Sequence, residues 1–178
     1  MNYAVDFQSL PYLKSTVLTF GFFDGVHLGH QKLLQKVVTD AKQTNSLATV
    51  ITFWPHPREV VSLGLKRVKL LTTQTQRKLL LEKNQIDLVL DIPFTLSFSK
   101  MSALDFLMTI KKNLKPKKII VGQDYRFGYL QEGNTDVLAS FCLREDIQFE
   151  ILDKLTIPGT NQYFSSTFLR QRLLRHRK

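Results

Sequence analysis

The chain is poor in cysteine. Cys142 is its single one in 178 residues, so no internal disulfide can form. It lies in an apolar pattern with Val137, Leu138 and Phe141 and is expected as a buried, inert thiol. No apolar run approaches the roughly 18 residues of a membrane-spanning helix. The opening Met1-Asn2-Tyr3-Ala4-Val5-Asp6 lacks the basic stretch and apolar run of a secretory signal. These absences point to a cytoplasmic location and to no membrane partner. There is no internal repeat, low-complexity tract or domain linker, and the length suits a single domain over 1–178. His/Cys clustering for zinc and a Ser/His/Asp order for acyl transfer are also missing.

Acidic residues are scarce too: 15 Asp and Glu face 25 Lys and Arg, for a net charge of +10. That balance suits either nucleic acid or a polyphosphate substrate. Residues 170–178 hold four Arg and one Lys with no acid, and Lys111, Lys112, Lys115, Lys117 and Lys118 form a second run. Neither run interleaves aromatics for base stacking, so solvated surface is expected and no nucleic-acid partner.

What is present begins at Val17–Phe20, an apolar strand that ends in Gly21. Gly21-Phe22-Phe23-Asp24-Gly25-Val26-His27-Leu28-Gly29-His30 follows as a turn into a helix. Its two histidines, three residues apart, share one face of the first helical turn. The free N–H groups and positive dipole end of a helix start form an anion site, so this turn suggests a phosphate. Leu33, Leu34, Val37, Val38 and Ala41 recur at helical spacing and predict a helix over 28–44. Leu47–Phe53 reads as a parallel strand buried on both faces, completing a βαβ unit.

That strand ends at Trp54-Pro55-His56-Pro57-Arg58-Glu59, which places His56 and Arg58 near the anion site. Residues 60–72 read as irregular. Thr72 or Thr73 caps a helix over 74–84 with Leu79, Leu80 and Leu81 partly buried, and Leu88–Ile92 is a third strand. Ser102 caps a helix to about 112, and Ile119–Val121 is a fourth strand. Its end runs into Gly122-Gln123-Asp124-Tyr125-Arg126-Phe127-Gly128, readable as a flat-ligand loop or as a plain βα loop whose aromatics pack on the core. A helix over 135–144, a fifth strand over 147–151 and a last helix over 168–175 follow. Ser165-Ser166-Thr167 opens that last helix, a second N-terminus with hydroxyls and Arg170 beside it.

Four blocks stand in order: GFFDGVHLGH at 21–30, TFWPHPRE at 52–59, VGQDYRFG at 121–128 and SSTFLR at 165–170. The first resembles the HxGH signature of nucleotidylyltransferases. Together the four are similar to the FMN adenylyltransferase module of prokaryotic FAD synthetases, over nearly the whole chain. The resemblance implies an α/β, Rossmann-like nucleotidylyltransferase fold with a five-stranded, mostly parallel sheet flanked by helices. It implies transfer of AMP from ATP to FMN with Mg2+, giving FAD and pyrophosphate. By that likeness His27, His30 and Arg170 act on the phosphates, and Gly21, Phe22, Asp24, Ser165, Ser166 and Thr167 hold the nucleotide. Pro55, His56, Pro57, Asp124, Arg126 and Phe127 line the flavin side, and no protein ligand of Mg2+ is assigned.

The chain departs from the pattern in places. Phe22 stands where many members have Asn, and Trp54 where an acidic residue is frequent. Gln131 and Asn134 replace an Arg and an Asp that often follow the third block. The riboflavin kinase module usual in the bacterial enzymes has no counterpart in these residues, so no kinase activity is expected. The rival readings are another small-molecule nucleotidylyltransferase, a nucleic-acid-binding module driven by the basic tail, and a non-catalytic flavin or nucleotide carrier.

Overall fold

Six short apolar segments pair into one parallel sheet, which the computed structural model describes over residues 1–10, 13 and 15–175. The strands are β1 (Asn2–Ala4), β2 (Thr16–Phe20), β3 (Leu47–Trp54), β4 (Leu88–Pro93), β5 (Pro116–Gly122) and β6 (Gln148–Leu152). Their order is β1-β4-β3-β2-β5-β6, and every pairing is parallel. The sequence pattern predicts five strands. The sixth is β1, whose three residues are too few to show any periodicity, and which pairs with the far side of β4 through Tyr3 opposite Val89.

The helices are α1 (Leu28–Gln43), α2 (Pro57–Val61), α3 (Gln74–Lys83), α4 (Ala103–Leu114), α5 (Thr135–Arg144) and α6 (Ser166–Arg175). On one face of the sheet, Leu34 and Val37 of α1 and Leu81 of α3 pack against Val17, Val50 and Val89. On the other, Phe106 and Ile110 of α4 and Leu138 and Phe141 of α5 pack against Phe20, Ile51 and Leu90. A central strand covered on both faces buries every side chain, and β2 is buried at all five positions, the Thr16 hydroxyl donating to the Leu114 carbonyl. Cys142 is buried in the second of these layers, where desolvation pushes its thiol up to about 11.

Sequence reasoning leaves three local features to the structure. Residues 57–61 form the short helix α2, with Pro57 at its first turn. Leu79 is exposed while Leu81 is buried, because α3 shows the sheet only a narrow stripe. The lysine run is paired rather than free: Lys111 meets Glu145, Lys117 donates to the Thr44 carbonyl and Lys118 reaches Asp40 and Glu150. The side chains of the C-terminal basic stretch beyond Arg172 lie outside the described residues. Among the described residues no helix is long and apolar enough to cross a membrane.

Strand order reverses at β2. The chain steps outward through β3 and β4 on one side, then crosses to β5 and β6 on the other. Ligands of open parallel sheets bind outside the carboxyl ends of the strands at such a reversal. Here that position receives the turn after β2 and the loop after β5.

Candidate active site

The turn after β2 is built from unusual backbone. Phe23 is left-handed (φ 55°), Gly25 has φ 75° and Val26 φ 38°. A β-branched residue at positive φ is strained, and the tertiary contacts around the turn must hold it there. Phe23 is buried, its ring packed beneath Gly21 and 5.1 Å from the His30 ring. His27 caps α1, its Nδ1 accepting the His30 backbone N–H at 3.4 Å. An accepting Nδ1 leaves Nε2 as the protonated nitrogen of a neutral ring. The two imidazoles stack 3.7 Å apart. The approach at the glycine between them is close: a Cβ on Gly29 would lie 3.2 Å from the His27 ring and 3.4 Å from the Phe164 carbonyl.

Both histidines are held neutral. Burial pushes His27 down to about 4, against a smaller upward pull from Asp24. Burial, helped by repulsion from His27, pushes His30 down to about 3. His56 repeats the capping device at the start of α2, its Nδ1 accepting the Arg58 N–H at 3.1 Å. Burial lowers its pKa, and the nearby Arg58 and Arg170 lower it further.

Asp24 ties the site together. Its carboxylate accepts from the backbone N–H groups of Leu71 and Thr72 (2.9 and 3.1 Å), from the Thr72 hydroxyl and from Arg170 Nη2 at 2.7 Å. Its carbonyl accepts the Ser166 hydroxyl at 2.9 Å. Ser165 caps α6 by accepting the Phe168 N–H at 3.1 Å. The starts of α1 and α6 therefore face one open cleft of about 380 Å³. Phe22, Phe23, Asp24, His27, His30 and His56 line one part of it, and Arg58, Ser166, Thr167 and Arg170 the rest.

The sequence-predicted residues divide accordingly. His27, His30, Arg170, Phe22, Asp24, Ser166, Thr167 and His56 meet at the cleft. Gly21 and Ser165 lie behind it, one extending the sheet by donating to the Ile51 carbonyl at 3.0 Å, the other capping α6. Pro55 and Pro57 flank His56, and the Trp54–Pro55 peptide is cis. Asp124 and Arg126 are exposed on the loop after β5, where Asp124 pairs with Lys154. Phe127 is a core residue, 7 % exposed, in an aromatic layer with Phe20, Phe106 and Tyr125. That loop closes on itself through a bridge between Phe127 and Gly133.

Sequence reasoning did not mark Arg77, which looks like any surface cation of a polar helix. It is 2 % exposed and bonds to the Phe22 carbonyl behind the cleft. No local periodicity reveals this, since tertiary contacts alone bury it. Among the described residues no three His, Cys, Asp or Glu side chains converge as a metal site.

A parallel sheet with helices on both faces, carrying a paired-histidine turn at its point of reversal, defines a protein of the Rossmann-like nucleotidylyltransferase fold. The family profile described as FAD synthetase matches residues 10–168, and the chain belongs to that family. It is 34 % identical over 165 residues to a bifunctional riboflavin kinase/FMN adenylyltransferase of Buchnera aphidicola subsp. Schizaphis graminum, covering 92 % of this chain and 52 % of the relative. A protein of the same description from Listeria monocytogenes is 35 % identical over 157 residues, covering 87 % of this chain and 48 % of the relative. A Listeria monocytogenes FAD synthetase is 30 % identical over 162 residues, covering 88 % of this chain and 63 % of the relative. The chain thus spans about half the length of the bifunctional relatives. Among solved structures, one described as a macrolide-efflux protein from Streptococcus pneumoniae superposes with TM-score 0.83 at 22 % identity. That match covers 97 % of this chain and 57 % of the other, and it supports the fold.

Proposed function

We propose that the chain transfers AMP from ATP to FMN, forming FAD and releasing pyrophosphate. The observation that carries this reading is the convergence of two helix N-termini, α1 with His27 and His30 and α6 with Ser166, Thr167 and Arg170, on one cleft. Two positive dipole ends and two arginines in one cleft match a polyphosphate. The family and the names of the relatives supply the nucleotide and the flavin.

In the proposed reaction an oxygen of the FMN phosphate attacks the α-phosphorus of ATP. The α-phosphorus–oxygen bond to the β-phosphate breaks, and its electron pair leaves with pyrophosphate. The nucleophile is already ionised at neutral pH, so no strong base is required. Repulsion between anions and charge growth at the α-phosphate are the obstacles, and positioning with electrostatic stabilisation answers both. Neutral His27, with its proton on Nε2, can donate a hydrogen bond to a phosphate oxygen, and His30 stacks beside it. Arg170, oriented by Asp24, faces the departing pyrophosphate. Among the described residues no cluster of side chains forms a cation site, and the Asp24 carboxylate is committed to Leu71, Thr72 and Arg170. Mg2+ would be carried with the ATP phosphates and would offset their charge during the transfer. His56 and the loop at 122–128 are assigned to the flavin side, with Phe127 supporting that loop from the core. A cytoplasmic location suits this chemistry.

The test is incubation with ATP, Mg2+ and FMN, or separately with riboflavin, followed by chromatography of the flavins. FAD and pyrophosphate are expected from FMN. A flavin profile unchanged by the enzyme would refute the assignment.

A further inference from the structure

Behind the cleft lies a second polar cluster, buried in the carboxyl ends of three strands. The Arg77 guanidinium of α3 donates through Nη1 to the Phe22 carbonyl at 3.1 Å and through Nη2 to the Phe53 carbonyl at 3.1 Å. Nη2 also faces both Asp91 oxygens at 3.4 Å. Phe22 follows β2, Phe53 belongs to β3 and Asp91 to β4, so one side chain gauges the relative positions of three neighbouring strands. Asp91 is further held by the Tyr3 hydroxyl at 2.7 Å and the Gln74 amide at 2.8 Å.

The same guanidinium lies 4.5 Å from the centre of the Phe22 ring, and the His56 ring lies 4.2 Å from that centre. Phe22 is thus gripped by its carbonyl and stacked by its ring. The start of α3 is bound to the turn in return: Leu71 and Thr72 donate to Asp24, and the Gly25 N–H donates to the Thr72 hydroxyl at 3.1 Å. Thr73 then opens α3 with a reciprocal capping box to Gln76, which keeps that anchor rigid.

We infer that Arg77 is a positioning residue of the phosphate site. It holds Phe22, and through Phe22 it sets the turn that presents His27 and His30 and the ring on which His56 rests. A lysine cannot replace it in this role, because an ammonium has no planar fork to serve two carbonyls and no flat face to stack. The kinetic part of this inference rests on the adenylyl-transfer reading.

The experiment compares Arg77→Lys, Thr52→Val and the double variant. Thr52 gives the other hydrogen bond to the Phe22 carbonyl, at 3.3 Å, and valine keeps its shape. Arg77→Lys preserves a charge opposite Asp91 and is expected to unfold cooperatively near the parent temperature. Its kcat is expected to fall about 10–100-fold, because small misplacements of a reacting group cost that much. KM for ATP should change less than about threefold, since phosphate-binding groups remain. The two substitutions share one acceptor, so their effects on kcat should be strongly non-additive.

Emission of Trp54, the single tryptophan, should shift as well, because the guanidinium lies 5.7 Å from its ring. Unchanged kcat in Arg77→Lys, additive effects, or a loss equal to the unfolded fraction would overturn the inference. Should Arg77→Lys not fold, Phe22→Leu and Thr52→Val carry the test, and parental kcat in both overturns it. If the unaltered chain makes no FAD, the flavin reading fails by itself. The coupling of Arg77 with Thr52 is then read in the shift of Trp54 emission, where additivity again overturns the claim.

Discussion

The Asp24 carboxylate meets Arg170 Nη2 at 2.7 Å, a contact between residues 146 positions apart. Asp24 is almost fully buried and Arg170 is partly exposed, so the acid orients the cation and leaves part of it facing the cleft. Asp24→Ala leaves the partly buried Arg170 and two backbone donors without their acceptor. Breaking a buried ion pair costs about 3–5 kcal/mol. Chemical denaturation should show a loss of that order, and Asp24→Asn a smaller one with a raised KM for ATP.

His30→Ala is expected to fold, since the ring lies at the cleft wall and its loss opens space toward solvent. His30 stacks on the proposed donor His27 at 3.7 Å, and disabling one such donor lowers rates by about 10²–10³. Single-turnover FAD formation should fall by that factor while thermal unfolding stays cooperative.

Gly29→Ala tests the close approach at the centre of the turn. A methyl group there presses on the His27 ring from 3.2 Å. The helix should gain slightly from alanine, yet the ring must tilt away from its capping position. The expected result is unchanged or higher thermal stability with at least about tenfold lower kcat.

Acid should destabilise the fold through the histidine pair. Free histidine titrates near 6.5, while His27 and His30 are pushed down to about 4 and about 3. Between those limits the unfolded chain binds protons that the folded chain refuses, so stability rises with pH through that window and falls on acidification. Unfolding temperatures measured from pH 7 to pH 4 should drop steeply. The drop should be shallower in His30→Asn, and an equal slope in that variant counts against the neutral pair.

Five of the six strands and five of the helices could be read directly from residue patterns. Leu33, Leu34, Val37, Val38 and Ala41 show helical spacing because α1 buries one continuous stripe, and all five are buried. His27 and His30 were legible because the cap and the first helical turn are local geometry. Other features depend on what arrives from a distance. β1 is too short to carry a period and exists because β4 offers it an edge. Phe127 sits in a loop whose sequence suits a ligand wall or a core plug equally, and packing on Phe20 and Phe106 makes it core. Arg77 is hidden for the same reason: its partners come from three strands, and nothing in Thr75-Gln76-Arg77-Lys78 foretells them.

The Ser166 hydroxyl reaches the Asp24 carbonyl across 142 residues, and Arg170 reaches the same residue from farther still. During synthesis from the N-terminus, the last strand is complete at Leu152, before either contact can form. A nascent chain can thus assemble its sheet while one wall of the cleft is still inside the ribosome. The cleft is then completed last, when α6 brings Ser166 and Arg170 to Asp24.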